Sequence, residues 1–415
     1  MKRCRLILSA YACEPGRGSE PGVGWYVAQA IAGKVELTVV TRANNQKDIE
    51  NSDEEWINQV RWIYHDLPSW AMWWKKGGRG VQLYYILWQL SLFFKLWFSS
   101  EFTKHDVVHH ITFGKYWVPS FLSFGGLPTV FGPVGGGEDT PEVFRDEQGK
   151  RGKWEERGRK WLRLFMTWNP VSYLALRMNC VNIAATPQTE TRMSKLGLAD
   201  LRVLPQSAIS VQQLKRLNVI AGQYNGQLGH DQFVLTCVSR LISWKAIHLA
   251  IEAFVRILPD LPEGSYLNIV GQGPEKKRLS KMVAAKNLEG HVRFIDRLPE
   301  LSDVFKLMAE SDCVLHPALH EAFGQACLES IAVGTPVICW DWAGPGMIVG
   351  QDAGIAVMPM SSVDLSVQKY CEAILRVASL TPSERDKLSV SCRDKSGSFT
   401  WERLANCFME IYNEL

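Results

Sequence analysis

The sequence lacks the short cysteine spacings of a zinc or redox site, and it lacks a strong excess of either charge. Its 415 residues include ten cysteines but no Cys-x-x-Cys pair. Cys4, Cys237, Cys313 and Cys339 stand within apolar runs, so we expect most of the cysteines to be buried, reduced thiols, and we expect no metal site. The net charge of +3 gives no reason to expect a nucleic-acid partner.

The chain also lacks an internal repeat with a period of roughly 20–50 residues, which excludes a solenoid. No signal-peptide cleavage pattern follows the Met1-Lys-Arg-Cys-Arg start, and together with the reduced cysteines this predicts a cytoplasmic protein. Apolar residues make up 46% of the chain, as in globular proteins. The length suits two domains of about 200 residues each.

One long hydrophobic run, residues 81–100, reads VQLYYILWQLSLFFKLWFSS. It has the length that a bilayer span requires, but Lys95 would be costly in lipid. We therefore favour a buried or interfacial helix over a membrane span.

Aromatic and basic residues are mixed in two segments. The first is a tryptophan cluster followed by cations, at Trp70, Trp73, Trp74, Lys75, Lys76 and Arg79. The second, residues 145–163, has eight basic residues against four acidic ones, with Trp154 and Trp161 among them. Such stretches suit an anionic membrane surface, and the alternative is a solvated helix that covers a loop. The first alternative predicts peripheral contact with the inner membrane through residues 70–100 and 145–165.

Short apolar strands alternate with helical patterns, which predicts parallel α/β layers. The predicted strands are Arg5–Ala10, Glu36–Thr41, Val60–Tyr64, Val107–Ile111, Thr129–Phe131, Phe233–Val238, Leu267–Val270, Val292–Ile295, Cys313–His316 and Val337–Trp340. The glycine-rich stretch Asn218–Asp231 predicts a loop near the start of the second domain. We place the domain boundary near Pro205.

The segment from His320 to Glu329 is the most informative one for function. Glu321 and Glu329 are eight residues apart, with a turn glycine, Gly324, between them and a helical run after it. A helix N-terminus offers free N–H groups and a positive dipole end, which suit phosphate. A carboxylate on the same helix can accept hydrogen bonds from the hydroxyls of a ribose. The pattern therefore predicts a nucleotide-sugar site.

This segment resembles the E-x7-E signature of retaining GT-B glycosyltransferases of family four. Arg240 and Lys245 resemble the family's R-x4-K element, and residues 271–274 resemble its G-x-G-P turn. Residues 11–25, a glycine loop, are similar to one bacterial subgroup that makes exopolysaccharides and cell-surface glycans, and the Trp401-Glu402 helix also fits.

The resemblance implies a GT-B fold, in which two Rossmann-like, doubly wound α/β domains face each other across a cleft. We expect an acceptor-binding domain over residues 1–205 and a nucleotide-sugar-binding domain over 206–399. A C-terminal helix over 400–415 is expected to pack back on the first domain.

The resemblance also implies the residue roles. Arg240 and Lys245 would stabilise the leaving diphosphate without a metal or other cofactor, while the alternative is a surface pair on a loop. Glu321 would lie beside the transferred sugar, as a hydrogen-bonding or transiently nucleophilic group. Phe323 and Gly324 would offer backbone N–H groups, and Glu329 would bind the ribose. The donor would be a UDP- or GDP-sugar. The choice between the two nucleotides stays open, because Asp296 stands where relatives usually carry a glycine near the base.

Two further sets of candidates lie in the first half of the chain. Four glycines follow the first strand, and Gly22 or Gly24, at the start of the helix, is the expected ligand contact. The spacing of these glycines does not match the dinucleotide-binding fingerprint of dehydrogenases. His109-His110 ends another strand, and the acceptor-side base is predicted to be His110 or Glu138, with packing as the alternative.

The leading hypothesis is a retaining glycosyltransferase, of the hexosyltransferase type, in cell-surface polysaccharide synthesis. Its acceptor would be a glycan, predicted to be lipid-linked, at the cytoplasmic face of the inner membrane. The alternatives are a GT-B-like nucleotide-sugar epimerase, which would need no acceptor, and a catalytically silent relative that serves as a binding subunit.

Overall fold

The computed structural model describes residues 3–74, 80–147, 149–198, 200–224 and 232–415. The chain divides into two compact units. The first unit contains residues 1–137, 160–207 and 401–415, and the second contains 138–159 and 208–400.

The first unit is built on a parallel sheet, which has seven strands in the part of the chain that the structure describes. The strands are β1 (Arg5–Ser9), β2 (Glu36–Arg42), β3 (Arg61–His65), β4 (Val107–His110), β5 (Thr129–Val134), β6 (Val181–Ala184) and β7 (Leu201–Val203). Their order is β3-β2-β1-β4-β5-β6-β7. The order reverses between β1 and β4, so this is a doubly wound sheet.

Each of the two units has a parallel sheet and helices that connect its strands. Those that begin before residue 200 are α1 (Ser19–Ile31), α2 (Gln46–Glu50), α3 (Val81–Phe98), α4 (Glu101–Lys104), α5 (Gly149–Trp168), α6 (Pro170–Met178) and α7 (Pro187–Ser194). Those of the second unit are α8 (Val211–Tyr224), α9 (Ile247–Ile257), α10 (Lys276–Ala285), α11 (Leu301–Ala309), α12 (Gln325–Ala332), α13 (Ala343–Val349), α14 (Val363–Ala378) and α15 (Pro382–Ser396). The last helix, α16 (Trp401–Glu414), belongs to the first unit.

The second unit repeats the plan with a parallel sheet that has six strands among the described residues. The strands are β8 (Val234–Val238), β9 (Tyr266–Val270), β10 (Val292–Ile295), β11 (Cys313–His316), β12 (Val337–Trp340) and β13 (Gly354–Val357). Their order, β10-β9-β8-β11-β12-β13, reverses between β8 and β11. Apolar layers cover this sheet, and Leu235, Ile269 and Leu315 are almost fully buried. The α/β prediction with two doubly wound domains is therefore confirmed.

Residues 138–159 lie in the second unit, although the predicted first domain, 1–205, contained them. Phe144 belongs to the buried core of the second unit, where its ring lies 4.7 Å from that of Trp340. The indole N–H of Trp342 donates to the Asp139 carbonyl at 2.8 Å. Both contacts join residues that are far apart in sequence, so local sequence patterns could not predict that residues 138–159 belong to the second unit.

Helix α16 packs within the first unit. Its Trp401 ring stacks on Tyr26 of α1, with centroids 5.6 Å apart. The Tyr412 hydroxyl lies 2.5 Å from Nδ1 of His109 in β4, and Nε2 of the same ring donates to the Gly132 carbonyl at 2.7 Å. The chain thus leaves the second unit at Thr400 and ends on the first.

The loop predicted over Asn218–Asp231 is wrong for its first part, because residues 218–224 continue helix α8. Leu217 and Ala221, one helical turn apart, are both 1% exposed and form the packed face of this helix. Residues 225–231 lie outside the described residues, as do Lys75, Lys76 and Arg79 of the tryptophan cluster.

The hydrophobic run 81–100 forms helix α3. Across the described ranges, no helix combines the length and apolar character that crossing a membrane requires.

Candidate functional site

The switch point of the second sheet gathers four of the predicted residues. Arg240 and Lys245 follow β8, and Glu321 and Gly324 follow β11, the neighbouring strand. In open α/β sheets ligands bind at the carboxyl ends of the strands where the order reverses. The two loops are joined there, since the Leu319 N–H donates to the Trp244 carbonyl at 2.9 Å.

Lys245 and Glu321 form an ion pair at this edge of the sheet. Their side chains are 13% and 23% exposed, so the pair is partly shielded but open to a ligand. The pKa of Lys245 is lowered to about 8, mainly by burial and also by the nearby charge of Arg240, against an opposing effect of Cys327. A cation and a carboxylate are therefore held side by side where a charged substrate can reach both.

His316, the last residue of β11, was missed by the sequence predictions. Its Nε2 lies 3.8 Å from Oε2 of Glu321. Burial, and then the charge of Lys245, lower the pKa of His316 to about 3, so the ring is neutral at neutral pH. Within the described ranges no hydrogen-bond partner reaches Nε2. The sequence signal that could have identified His316 was its position at the end of a strand, which is also what pointed to Arg240.

Gly324 starts helix α12 in a conformation that favours glycine. Its φ is +92°, and a Cβ there would lie 3.1 Å from Pro345. Gly324 thus forms the turn between the loop that carries Glu321 and the first residue of α12, Gln325. Phe323, 8% exposed, anchors the turn in the core. A helix therefore begins where the sequence predicted one, and its binding of phosphate stays a prediction.

Glu329 lies in the second turn of α12 and is partly buried. Burial raises the pKa of its carboxyl to about 7, and a hydrogen bond from Gln325 at 3.4 Å opposes that rise. A carboxylate that is desolvated without a compensating cation is costly. Such a group gains most when hydroxyl donors bind it.

The same burial makes the stability of the unliganded protein depend on pH at Glu329. With a pKa raised from 4.5 to about 7, the folded chain retains a proton that the unfolded chain has released, so stability falls as pH rises through this window. The loss is roughly 2 kcal/mol at most after discounting for partial exposure. We expect Glu329→Gln to raise the Tm at pH 8 and to leave it unchanged at pH 5. The exposed Glu310→Gln is the matched control, and equal Tm values for Glu329→Gln and wild type at pH 8 would contradict the burial.

The G-x-G-P turn supports the loop that carries Arg240. Gly271 has a φ of +140°, and a Cβ there would lie 1.9 Å from the Ser239 carbonyl oxygen. The Leu241 N–H donates to the Gln272 carbonyl at 2.9 Å. Glycine is therefore required because the loops after β8 and β9 run against each other.

Gly22 and Gly24 lie in helix α1 of the first unit and are buried. A Cβ on Gly22 would lie 2.3 Å from the Arg17 carbonyl oxygen, and one on Gly24 would lie 2.1 Å from that of Ala12. Close packing of helix against loop explains both glycines. Their predicted contact with the nucleotide sugar stays a prediction, and the structure gives it no support.

His110 is 0% exposed, which argues against the predicted role of acceptor-side base. Its Nε2 lies 2.7 Å from the Tyr85 hydroxyl, and its ring packs against Phe131 at 5.6 Å. Burial lowers its pKa to about 3. A base must reach its substrate, and this ring is enclosed in the core of the first unit, which favours the packing alternative. The predicted role of acceptor-side base stays a prediction.

We expect His110→Phe to lower the Tm, because the Tyr85 hydroxyl loses its buried partner at a cost of about 1–3 kcal/mol. Turnover per folded molecule should stay within about threefold of wild type, since a core residue affects stability more than transition-state stabilisation. Thermal melts and initial rates on the same preparation measure both. Lost turnover at an unchanged Tm would restore the catalytic role.

Glu138 and Asp296 lie in the second unit. Glu138 is 2% exposed, and its charge acts to raise the pKa of His320, which burial and Arg159 together lower to about 4. Asp296, after β10, forms an ion pair with Lys276. Neither residue takes part in the Lys245–Glu321 ion pair. The role of Glu138 as acceptor-side base and the position of Asp296 near the base of the nucleotide stay predictions.

No cluster of three or more His, Cys, Asp and Glu side chains suited to a metal ion occurs among the residues that the structure describes.

Two doubly wound parallel sheets in one chain define the class of fold, which is that of the GT-B glycosyltransferases. The structure is similar to the crystal structure of Anabaena Alr3699/HepE in complex with UDP and glucose. The TM-score is 0.60 at 16% identity, over 99% of this chain and 100% of that chain.

The sequence of the second unit is similar to those of glycosyltransferases. Residues 224–376 match the family model described as Glycosyl transferases group 1. Glycogen synthase of Mycobacterium tuberculosis is 25% identical over 180 residues, which are 43% of this chain and 42% of that protein. The GDP-mannose-dependent alpha-(1-6)-phosphatidylinositol dimannoside mannosyltransferase of the same species is 27% identical over 174 residues, 42% of each. The matches thus cover less than half the length of these relatives.

Proposed function

We propose that the protein is a retaining glycosyltransferase that moves a sugar from a UDP- or GDP-sugar to a glycan acceptor. The observation that carries this proposal is the Lys245–Glu321 ion pair at the β8/β11 switch point, beside the N-terminus of α12. Relatives of the second unit include glycosyltransferases, and the HepE structure holds UDP and glucose.

The donor fits this edge of the sheet through opposite charges. Arg240, Lys245 and the first N–H groups of α12 would hold the diphosphate, and they would stabilise the charge that develops on it as the bond to the sugar breaks. No metal is needed for this role, because the cations are side chains. Glu329 would bind the ribose, with its ionised form favoured by the hydroxyl donors.

Glu321 would act on the transferred sugar. Its carboxylate lies between a cation, Lys245, and the neutral ring of His316. A carboxylate there can stabilise the positive charge of an oxocarbenium-like sugar, or form a transient covalent bond to it. In the first case the acceptor attacks the face that the diphosphate leaves, and the departing phosphate takes the acceptor proton.

The acceptor is proposed to be a lipid-linked glycan in cell-surface polysaccharide synthesis, bound mainly by the first unit at the cytoplasmic side of the inner membrane. Support comes from the aromatic segments of the first unit and from the phosphatidylinositol dimannoside in the name of one relative.

The epimerase and the catalytically silent relative stay as alternatives. An epimerase would convert the donor without any acceptor, whereas a transferase produces nucleoside diphosphate in proportion to glycosylated acceptor. A silent relative would bind the nucleotide without turning it over.

The test is a panel of UDP-, GDP- and ADP-sugars incubated with purified protein, with and without membrane extract, and read by nucleoside diphosphate release. We expect release from one donor, increased by the extract. An altered sugar nucleotide without release would favour the epimerase, and binding without either product would favour the silent relative.

A further inference from the structure

Helix α3 is apolar on both of its sides. One side, with Tyr84, Trp88 and Leu92, is fully buried in the core of the first unit. The opposite side exposes Phe94 by 47%, and a helix that is hydrophobic all round normally buries its whole surface. Something other than water is therefore expected to cover the outer side.

The exposed side of α3 ends in an aromatic cluster. Trp97 and Phe98 are 54% and 81% exposed, and Phe98 stacks on Phe94 with ring centroids 6.2 Å apart. A single exposed aromatic ring is common on protein surfaces. Several exposed rings in contact with one another form an apolar patch, and such a patch marks an interaction surface.

A second group of exposed aromatic residues lies on the part of α5 that belongs to the first unit. Trp161, Phe165 and Trp168 are 72%, 70% and 81% exposed. Their spacing of four and then three residues puts them on one face of the helix. Helix α6 follows directly and continues the pattern, with Val171, Leu174 and Met178 exposed at the same spacing.

The helices that carry the two groups pack against one buried cluster of the first unit, which Met166 of α5 also contacts. Helices α3 and α6 both pack against the short turn Phe121–Gly125. Leu92 of α3, Leu122 of the turn and Leu176 of α6 belong to one buried cluster. We call the six aromatic residues Phe94, Trp97, Phe98, Trp161, Phe165 and Trp168 the aromatic face.

The charges around the aromatic face are of one sign. Lys95, Lys160 and Arg177 are exposed, whereas Arg163 is buried and donates to the Gly136 carbonyl. Residues 81–100 and 160–189 contain no acidic residue. A second copy of the chain would bring like charges together across a symmetric interface. Anionic lipid headgroups complement these cations, and tryptophan is enriched at the boundary between headgroups and acyl chains.

We infer that the aromatic face docks the first unit on an anionic lipid surface, with its rings at the headgroup boundary and its cations on the lipid phosphates. Lysine and arginine side chains can extend past the rings to reach those phosphates. Docking would bring the protein to a lipid-linked acceptor, and this benefit alone rests on the proposed function.

The test is flotation of the purified full chain with two kinds of vesicle, phosphatidylcholine alone and phosphatidylcholine with about one third phosphatidylglycerol. We expect binding to the anionic vesicles, weakened by salt, and little binding to the neutral ones. Phe98→Glu and Trp168→Glu should each weaken binding at least about tenfold, because a charge replaces an inserted ring. Val390→Glu is the control, since Val390 is also exposed, at 48%, but lies on α15 of the second unit.

Four results would overturn the inference: no binding to anionic vesicles, equal binding to neutral ones, wild-type binding by both aromatic-face variants, or a dimer in solution that these variants dissociate. Nucleoside diphosphate release without lipid separates this inference from the proposed function. We expect Phe98→Glu and Trp168→Glu to keep that release at the wild-type rate. If vesicle binding follows the prediction while no donor is turned over, the docking surface stands and the proposed function fails.

Discussion

Glu321→Gln is expected to lower the kcat for sugar transfer by about 10²–10⁴-fold. The amide keeps the size of the side chain but removes the charge that faces the transferred sugar. Donor KM should change much less, because in the proposed site Arg240, Lys245 and Glu329 would make the diphosphate and ribose contacts. Initial rates of nucleoside diphosphate release, with the donor that the panel identifies, measure both constants.

The control for Glu321→Gln is Glu310→Gln, which removes a carboxylate from an exposed position at the end of α11. It should behave as wild type in rate and in Tm. A Glu321→Gln protein that is folded by its melting curve and turns over at the wild-type rate would remove Glu321 from the mechanism.

Arg240→Ala is expected to lower kcat by about 10²–10³-fold, since a fixed cation no longer faces the charge that develops on the leaving diphosphate. Its stability should stay unchanged. The side chain is exposed, and no ion pair or side-chain hydrogen bond holds its guanidinium among the described residues. A residue with this little structural role is a good test, because lost activity cannot be attributed to misfolding.

The matched control for Arg240→Ala is Arg376→Ala, an equally exposed arginine near the end of α14. Arg240→Lys should recover part of the rate, because it restores the charge without the planar guanidinium. Wild-type turnover in Arg240→Ala would show that the R-x4-K element is a surface pair.

Strands buried on both faces could be predicted from sequence, because they read as continuous apolar runs. Cys313–His316 and Val337–Trp340 are buried along their whole length and have the bounds that the structure shows. Val292–Ile295 also has its predicted bounds, although Arg293 within it is exposed. Strands β6, β7 and β13 were not predicted, because β7 has only three residues, β6 contains the polar Asn182, and β13 begins at Gly354.

The donor side of the candidate site was predictable because its residues follow strand ends at fixed spacing. The pairing of Lys245 with Glu321 also needed the sheet order, which places β8 beside β11. His110 shows the limit of the same reasoning, since it also ends a strand but is 0% exposed. Burial depends on distant residues such as Tyr85, and a local pattern does not contain them.

A structure of the protein with UDP or GDP would test the nucleotide site most directly. The proposal places the diphosphate between Arg240, Lys245 and the N-terminus of α12, with the ribose hydroxyls on Glu329. A nucleotide bound elsewhere would contradict it, for example in the shallow groove of about 600 Å³ that Lys276, Lys277 and Lys281 line on α10.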